Sequence, residues 1–192
     1  MQFVGDYTID PEVCDRLVQL HRLCDRKGIV KRGSMSRGGT HTVDIEKKDS
    51  FDLAVAAIPD DLQAEYGLPK YYDELKRCLD LYIEQHPELK NVGYFRVTES
   101  PSLQHYRPGG GYKTEHFERT SLATSTRMLV WMTYLNDVTD GGGTYFKYQN
   151  HTFEARRGRT LIWPSDFTHT HAGVVSPTQH KYIITGWFNF TG

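Results

Sequence analysis

The sequence lacks most of what marks a secreted, membrane-spanning or nucleic-acid-binding protein. Its 192 residues include three cysteines, an odd number that suits a reducing compartment better than a disulfide framework. The formal net charge is −1, whereas nucleic-acid-binding surfaces are usually basic. No apolar run approaches the length of a membrane span. The first residues also lack the basic region and apolar core of a secretory signal. We therefore expect a cytoplasmic protein with no membrane association and no stable nucleic-acid partner.

What is present is typical of one globular domain. The hydrophobic fraction of 38% and the charged fraction of 24% both lie in the range of soluble globular chains. A chain of this length can bury roughly 70% of its unfolded surface. No internal repeat or low-complexity linker divides it. The sequence therefore predicts a single domain over residues 1–192, with helical support over about 1–90 and a β-rich core over about 91–192.

The N-terminal half is predicted to hold helices and one irregular segment. Asp10-Pro11-Glu12 is a good helix start, and apolar residues follow at helical spacing. A second long helix is predicted over residues 69–86, and a short helix is predicted to begin at Ser50 and end at Pro59. Residues 31–49 are rich in glycine, serine and charge, which predicts a loop or short irregular strands. A loop of this length is either mobile or functional.

From Asn91 onwards the pattern changes to short β-branched and aromatic segments separated by proline and glycine. Such segments are typical of strands. The eight predicted strands cover residues 92–97, 103–106, 127–135, 144–148, 151–155, 160–163, 168–175 and 181–190. Eight closely spaced strands after two helices indicate an α+β domain dominated by an antiparallel barrel or jelly roll.

His116-Phe117-Glu118 is the first candidate metal-binding motif. On a strand, residues i and i+2 project to the same face, so His116 and Glu118 would point into one cavity. An imidazole and a carboxylate are two of the three ligands of the 2-His-1-carboxylate facial triad, which suits Fe(II) and leaves positions open for reactants. Alone, a His-x-Glu pair is equally typical of a solvated strand. The assignment therefore depends on a third ligand.

A second histidine pair and an inward lysine strengthen this interpretation. His169 and His171 alternate on one predicted strand and share a face, so either could complete the ligand set. Ten residues after His171, Lys181 begins a strand on which alternation places every second residue, up to Trp187, on one face. A lysine that points inward would carry an unpaired buried charge unless it met an anion. A dicarboxylate co-substrate would supply that anion; the alternative is that Lys181 faces solvent.

These residues belong to an ordered set of motifs with characteristic spacings. In chain order the set is Tyr106-x-x-Gly109-x-x-Tyr112, His116-x-Glu118, Arg127, Tyr134-Leu135-Asn136-Asp137-Val138, Gly141-Gly142-Gly143-Thr144-x-Phe146, Arg159-Thr160-Leu161-Ile162, His171-x-Gly173 and Lys181. Over roughly residues 92–190 the chain resembles the Fe(II)/2-oxoglutarate-dependent dioxygenases, and within them the prolyl 4-hydroxylase-like group. The resemblance implies a double-stranded β-helix, which is a jelly-roll, cupin-like core, with flanking N-terminal helices.

The resemblance also implies a role for each matching position. His116, Glu118 and His171 would hold Fe(II) and form the catalytic centre, and the spacing to Lys181 favours His171 over His169. The co-substrate 2-oxoglutarate would be bound by Lys181, Tyr106, Tyr134 and Thr185. The implied reaction is hydroxylation of an unactivated C–H, coupled to oxidative decarboxylation of 2-oxoglutarate by O2 to succinate and CO2. Ascorbate is the expected reductant.

The chain departs from the family pattern at two places. Glu118 stands where the family usually has aspartate, which is one methylene shorter. One extra residue also separates Tyr112 from His116, which leaves Glu115 beside the motif. Glu115 and Glu118 cannot both occupy the i+2 position, and we assign Glu118.

Three functions remain open at the level of sequence. The first is a hydroxylase of a peptidyl side chain, with proline as the first candidate by family analogy. The second is a hydroxylase of a free amino acid or another small metabolite, with residues 31–49 as a lid over a small pocket. The third is a cupin-like binding module without turnover. The simultaneous presence of the three metal-ligand candidates and Lys181 argues against the third.

Overall fold

The secondary structure of the chain is mostly short antiparallel strands with three α-helices. It is described by a computed structural model over residues 2–37 and 40–191. The helices are α1 Pro11–Arg26, α2 Asp60–Glu65 and α3 Leu68–Gln85. The strands are β1 Gly5–Thr8, β2 Lys31–Arg32, β3 Met35–Arg37, β4 Thr40–Thr42, β5 Lys48–Asp49, β6 Phe51–Ala54, β7 Phe95–Arg96, β8 Ser102–Tyr106, β9 Gly111–Tyr112, β10 Arg127–Tyr134, β11 Thr144–Phe146, β12 His151–Phe153, β13 Arg159–Pro164, β14 His171–Gly173 and β15 Lys181–Phe190.

Two antiparallel sheets form the core. The large sheet has the strand order β1-β13-β10-β15-β8-β6-β2, with β7 also pairing with β15, and the small sheet has the order β12-β11-β14. Side chains of both sheets share one hydrophobic cluster, in which Phe146 and Phe153 of the small sheet meet Val130 and Trp163 of the large one. The arrangement is the jelly-roll, double-stranded β-helix fold that the resemblance implies. All eight strands predicted after Asn91 are present.

The two long helices pack against the large sheet. The Asp10 carboxylate caps α1 by accepting a hydrogen bond from the backbone N–H of Glu12 at 2.9 Å. The buried residues of α3 are Leu68, Tyr71, Leu75, Cys78 and Tyr82. Both helices join the core cluster that contains Trp131. Within the described ranges, no helix combines the length and the apolar character needed to cross a membrane.

The short helix predicted to begin at Ser50 and end at Pro59 is wrong. Residues Phe51–Ala54 form β6, which lies in the large sheet between β2 and β8. Leu53 is buried opposite Leu103, and all four residues of the segment pair in antiparallel register with β8. Only Val55–Ala57 form a 3-10 turn, and Pro59 is the N-cap of α2.

The segment over residues 31–49 consists of short strands, one of the two forms predicted for it. β3 and β4 pair as a hairpin, and β5 pairs with β9, which places Lys48 opposite Tyr112. Gly38 and Gly39 of this segment lie outside the described residues. The N-terminal half thus contributes strands to the sheets as well as helices. The function of residues 31–49 as a lid remains a prediction.

Candidate metal centre and co-substrate pocket

The side chains of His116, Glu118 and His171 converge on one point. One ligand atom from each lies within 4.8 Å of the other two. Glu118 Oε1 is 3.6 Å from His116 Nε2 and 3.8 Å from His171 Nε2. The expectation that His116 and Glu118 lie on a regular strand is wrong, because His116 forms an isolated antiparallel bridge with His171. This bridge brings a loop residue beside the first residue of β14.

Hydrogen bonds fix the tautomer of both imidazoles. His116 Nδ1 lies 2.8 Å from the Thr114 carbonyl oxygen, and His171 Nδ1 lies 2.9 Å from the His169 carbonyl oxygen. A carbonyl only accepts, so each Nδ1 carries the proton and each Nε2 presents a lone pair. Burial lowers the pKa of His116 to about 4 and that of His171 to about 3, so both rings are neutral at pH 7. Two neutral imidazoles and one carboxylate fit Fe(II).

Aromatic side chains hold the two imidazole planes. Tyr112 stacks on His116 with 3.7 Å between ring centroids and 12° between planes. His171 contacts Phe146 and Trp163, with centroids at 5.4 and 5.1 Å. Trp163 is only 2% exposed, so it packs in the core behind the ligand and not in an open cleft. The rings limit rotation of both ligands and keep water from their rear faces.

Glu118 is the carboxylate at this point, and Glu115 is not. The Glu115 carboxylate forms an ion pair with Lys147 at 2.6 Å, and both side chains are about half exposed. Glu118 is held inward, because Trp187 Nε1 donates a hydrogen bond to its Oε2 at 3.0 Å. The contact with Trp187 was not foreseen, although alternation along β15 placed that residue on the inward face.

His169 does not join the cluster. The sequence placed it on the same strand face as His171, which is wrong because Phe167–His169 form a 3-10 turn before β14 begins. His169 Nδ1 lies 2.9 Å from the Thr168 hydroxyl oxygen, and its Nε2 lies 3.4 Å from the Gln2 carbonyl oxygen. Its ring therefore helps to hold the N-terminal segment.

Lys181 points inward, and the alternative in which it faces solvent is wrong. The residue is 5% exposed, and its Nζ lies 4.7 Å from the centroid of the Tyr106 ring. A Cβ added to Gly173 would lie 3.6 Å from this nitrogen, so the ammonium group lies beside the strand that carries His171. Among the described residues Lys181 Nζ has no hydrogen-bond acceptor and no carboxylate at ion-pair distance. Burial lowers the pKa of Lys181 to about 8.

The three hydroxyls predicted to assist Lys181 each have a partner within the protein. Tyr106 donates to Gln104 Oε1 at 2.6 Å, beside the Lys181 ammonium group. The Tyr134 hydroxyl lies 2.6 Å from Thr144 Oγ1, and Thr185 Oγ1 donates to the Trp131 carbonyl oxygen at 2.8 Å. The Tyr106 hydroxyl lies in the Lys181 pocket, whereas the Tyr134 and Thr185 hydroxyls connect neighbouring strands. Binding of the co-substrate by these hydroxyls remains a prediction.

A second buried lysine, Lys48, lies near the centre and was not predicted. Lys48 is 5% exposed, and its Nζ lies 2.6 Å from Asp52 Oδ2. Lys48 is paired with Tyr112 across β5 and β9, and Asp52 is paired with Gln104 across β6 and β8. The ion pair therefore connects the segment beside the metal ligands to the large sheet. Lys48 lies in the segment predicted to be irregular and Asp52 in the wrongly predicted short helix, so no periodicity indicated the pair.

Known proteins share both the sequence profile and the fold. Residues 101–189 match the profile of the 2OG-Fe(II) oxygenase superfamily. A prolyl-4-hydroxylase from Pseudomonas putida superimposes with a TM-score of 0.72 and 20% identity, over 97% of this chain and 92% of that chain. The viral collagen prolyl hydroxylase of Paramecium Bursaria Chlorella virus-1, solved as a 2OG complex, gives 0.68 and 14%, over 99% and 97%.

A third structure is a prolyl hydroxylase from Trichoplax adhaerens, solved with a peptide fragment of the hypoxia inducible factor oxygen degradation domain. It gives a TM-score of 0.68 and 16% identity, over 96% of this chain and 83% of that chain. No curated protein sequence matches this chain. At these identities the structures establish a shared fold, and the profile match covers the positions of all three metal-ligand candidates. Over residues 101–189 the chain therefore matches the 2OG-Fe(II) oxygenase superfamily, and it shares the fold of the solved prolyl hydroxylases.

Proposed function

We propose that this dioxygenase hydroxylates a peptidyl side chain, with proline as the first candidate, and uses 2-oxoglutarate as co-substrate. The observation that carries the proposal is Lys181, a buried ammonium group without an anionic partner, next to the strand of His171. An isolated buried charge is costly unless an opposite charge meets it. The distal carboxylate of 2-oxoglutarate has the charge that this pocket requires.

Each residue of the site would have a distinct role. His116, Glu118 and His171 would hold Fe(II), which supplies the redox chemistry that couples O2 and 2-oxoglutarate to oxidation of a C–H bond. Lys181 would anchor the co-substrate through its distal carboxylate and so set its orientation. Tyr112 shields the metal ligand His116 from solvent. The protein thus contributes orientation, charge pairing and exclusion of water.

The choice of a peptide over a small metabolite rests on similarity of fold. Each of the three structures compared above is a prolyl hydroxylase, and one was solved with a bound peptide fragment. Their identities of 14–20% support a substrate class as a proposal and not a particular sequence. Hydroxylation of a free amino acid is the main competing outcome of the substrate assay below.

Anaerobic titration of Fe(II) and 2-oxoglutarate into metal-free protein tests the site. We expect a visible metal-to-ligand charge-transfer band in the parent protein. His171→Ala should abolish the band, whereas His169→Ala, two residues away and outside the cluster, should retain it. Lys181→Met should weaken the band, with Lys147→Met as the control for loss of an exposed lysine. A folded parent protein without a band would refute the catalytic assignment and favour the binding-module alternative.

Substrate class is tested by succinate release in air, with ascorbate as the proposed reductant. The substrates to compare are proline-containing peptides, the same peptides with alanine in place of proline, and free amino acids. We expect release above the uncoupled background with the proline peptides alone. Stimulation by free proline but not by peptides would replace the peptide hydroxylase with a metabolite hydroxylase.

A further inference from the structure

We infer that Trp187 is a positioning residue that holds Glu118 Oε2 and so reserves Oε1 of the same carboxylate for the metal ion. The inference rests on the proposed function of His116, Glu118 and His171 as metal ligands. It adds a residue that the proposed ligand and co-substrate sets do not include. Trp187 lies on β15, on the strand face that Lys181 begins.

The two oxygens of Glu118 have different surroundings. Oε1 faces the imidazoles, at 3.6 Å from His116 Nε2 and 3.8 Å from His171 Nε2. Oε2 accepts the hydrogen bond from Trp187 Nε1 at 3.0 Å and lies 3.6 Å from Arg127 Nη1. An indole N–H is a donor only, so it holds an oxygen and cannot compete for the metal ion. Oε1 of the Glu118 carboxylate therefore faces the two imidazoles, and Oε2 faces Trp187 and Arg127.

This assignment matters because the ligand is glutamate. Its side chain has one more rotatable bond than the aspartate usual at this position in related chains. That bond gives Glu118 more ways to turn away from the imidazoles or to present both oxygens to one ion. A fixed donor on Oε2 removes this freedom, in the way that partners of metal ligands commonly orient them.

Trp187 is itself held from its other side. The Arg127 guanidinium lies 3.6 Å from the centre of the Trp187 ring, close enough for a cation–π contact. Arg127 makes two hydrogen bonds to the Glu99 carboxylate, at 2.8 and 2.5 Å, and Asn189 Nδ2 donates to Glu99 Oε1 at 2.7 Å. The indole therefore cannot swing away from Glu118 without disturbing an anchored ion pair.

The use of its N–H distinguishes Trp187 from the other two tryptophans. Trp131 Nε1 and Trp163 Nε1 are buried without a hydrogen-bond partner. Those two rings serve packing alone. Trp131 lies in the core cluster between the helices and the large sheet, which makes Trp131→Phe a control for loss of an indole N–H away from the site.

The test is Co(II) binding to metal-free protein, followed by visible absorption. We expect Trp187→Phe to weaken Co(II) affinity by about 10-fold or more, as loss of a partner of a metal ligand commonly does. Trp131→Phe should bind as the parent protein does. If Trp187→Phe does not fold, Trp187→Met, which keeps an apolar side chain and lacks the N–H donor, takes its place and should show the same loss.

A double-mutant cycle shows whether Trp187 acts through Glu118. Glu118→Asp draws the carboxylate back from the indole, so adding Trp187→Phe to it should weaken affinity less than about threefold. An equal loss in both backgrounds would mean that Trp187 acts independently of Glu118 and would overturn the inference. Parent-like affinity in Trp187→Phe would overturn it too, with the metal site intact. No Co(II) binding by the parent protein would instead refute the proposed function itself.

Discussion

His116 and His171 exchange a pair of backbone hydrogen bonds. The N–H of each donates to the carbonyl oxygen of the other, and both distances are 2.9 Å. Such a pair is the unit of an antiparallel ladder, here made once between a loop and the start of β14. Because main-chain atoms set this spacing, replacement of one imidazole should leave the other in position. A variant that lacks one candidate metal ligand should therefore lose metal affinity while the rest of the site keeps its structure.

Lys181→Met should stabilise the metal-free protein while removing co-substrate affinity. The pKa of Lys181 lies at about 8 against 10.5 for a free lysine, so at pH 7 the buried charge lowers the free energy of unfolding by about 2–3 kcal/mol. Urea unfolding at pH 7 should show a gain of about 1–3 kcal/mol for the variant. Lys147→Met, at an exposed position, should stay within about 0.5 kcal/mol of the parent. A large loss of stability in Lys181→Met would mean that the ammonium group already has a partner.

The affinity for 2-oxoglutarate should fall in alkaline solution. The co-substrate pairs with the protonated lysine, and free protein loses that proton as the pH rises through about 8. The dissociation constant should therefore rise about tenfold per pH unit above this value. Calorimetric titration in the presence of metal between pH 7 and 9.5 measures the profile. Lys181→Arg, which stays charged throughout, should give a flat profile; a parent profile equally flat would contradict the role of Lys181.

His105 should make the protein sensitive to mild acid. The pKa of His105 is lowered from 6.5 to about 3. Burial is the main cause, and the nearby His21 and His180 add to it. The unfolded chain therefore binds a proton that the folded chain does not, and stability falls as the pH drops from about 6.5 toward 3. Between pH 7 and 5 the loss assigned to this group is about 1–2 kcal/mol. Unfolding curves of His105→Phe, which retains the ring stack on Tyr182, should show a shallower pH slope; parallel slopes would count against this assignment.

Asp52→Ala should destabilise the protein strongly. It leaves the Lys48 ammonium group buried without the carboxylate now 2.6 Å away, and breaking a buried pair costs about 3–5 kcal/mol. Adding Lys48→Met removes the orphaned charge, so the double variant should recover much of this loss. Chemical unfolding of Asp52→Ala, of Lys48→Met and of the double variant measures the coupling. Equal stability of Asp52→Ala and the double variant would show that Lys48 reaches water when its partner is lost.

The strands after Asn91 could be predicted from sequence because their β-branched and aromatic residues are separated by proline and glycine, as is typical of short strands. Alternation along β15 places Lys181 and Trp187 on one face, but it does not say which face is inward, because Tyr182 and Ile184 on the other face are buried too. β6 was misread because four residues are too few for a period to show. His169 was misplaced because a 3-10 turn breaks the alternation just before His171.

Side-chain contacts between different elements of the fold could not be predicted from the sequence. Trp187 and Glu118 are 69 positions apart, and their hydrogen bond depends on how β15 passes the loop that follows β9. Lys48 and Asp52 are only four positions apart, but β5 and β6 belong to different sheets, so strand alternation does not predict their contact. Strand alternation predicts the face on which a residue lies, but it does not predict which residue of another element contacts it.

The pairing of β1 with β13 has a consequence for how this chain can be handled. Residues Gly5–Thr8 cover the outer edge of the large sheet along Arg159–Ile162. An uncovered edge with apolar neighbours is a template for pairing with a second molecule. Trimming the chain past Thr8 would remove none of the three metal-ligand candidates, yet it would open that edge and favour intermolecular association. β1 therefore protects the edge of the large sheet from pairing with a second molecule, in addition to its packing in the core.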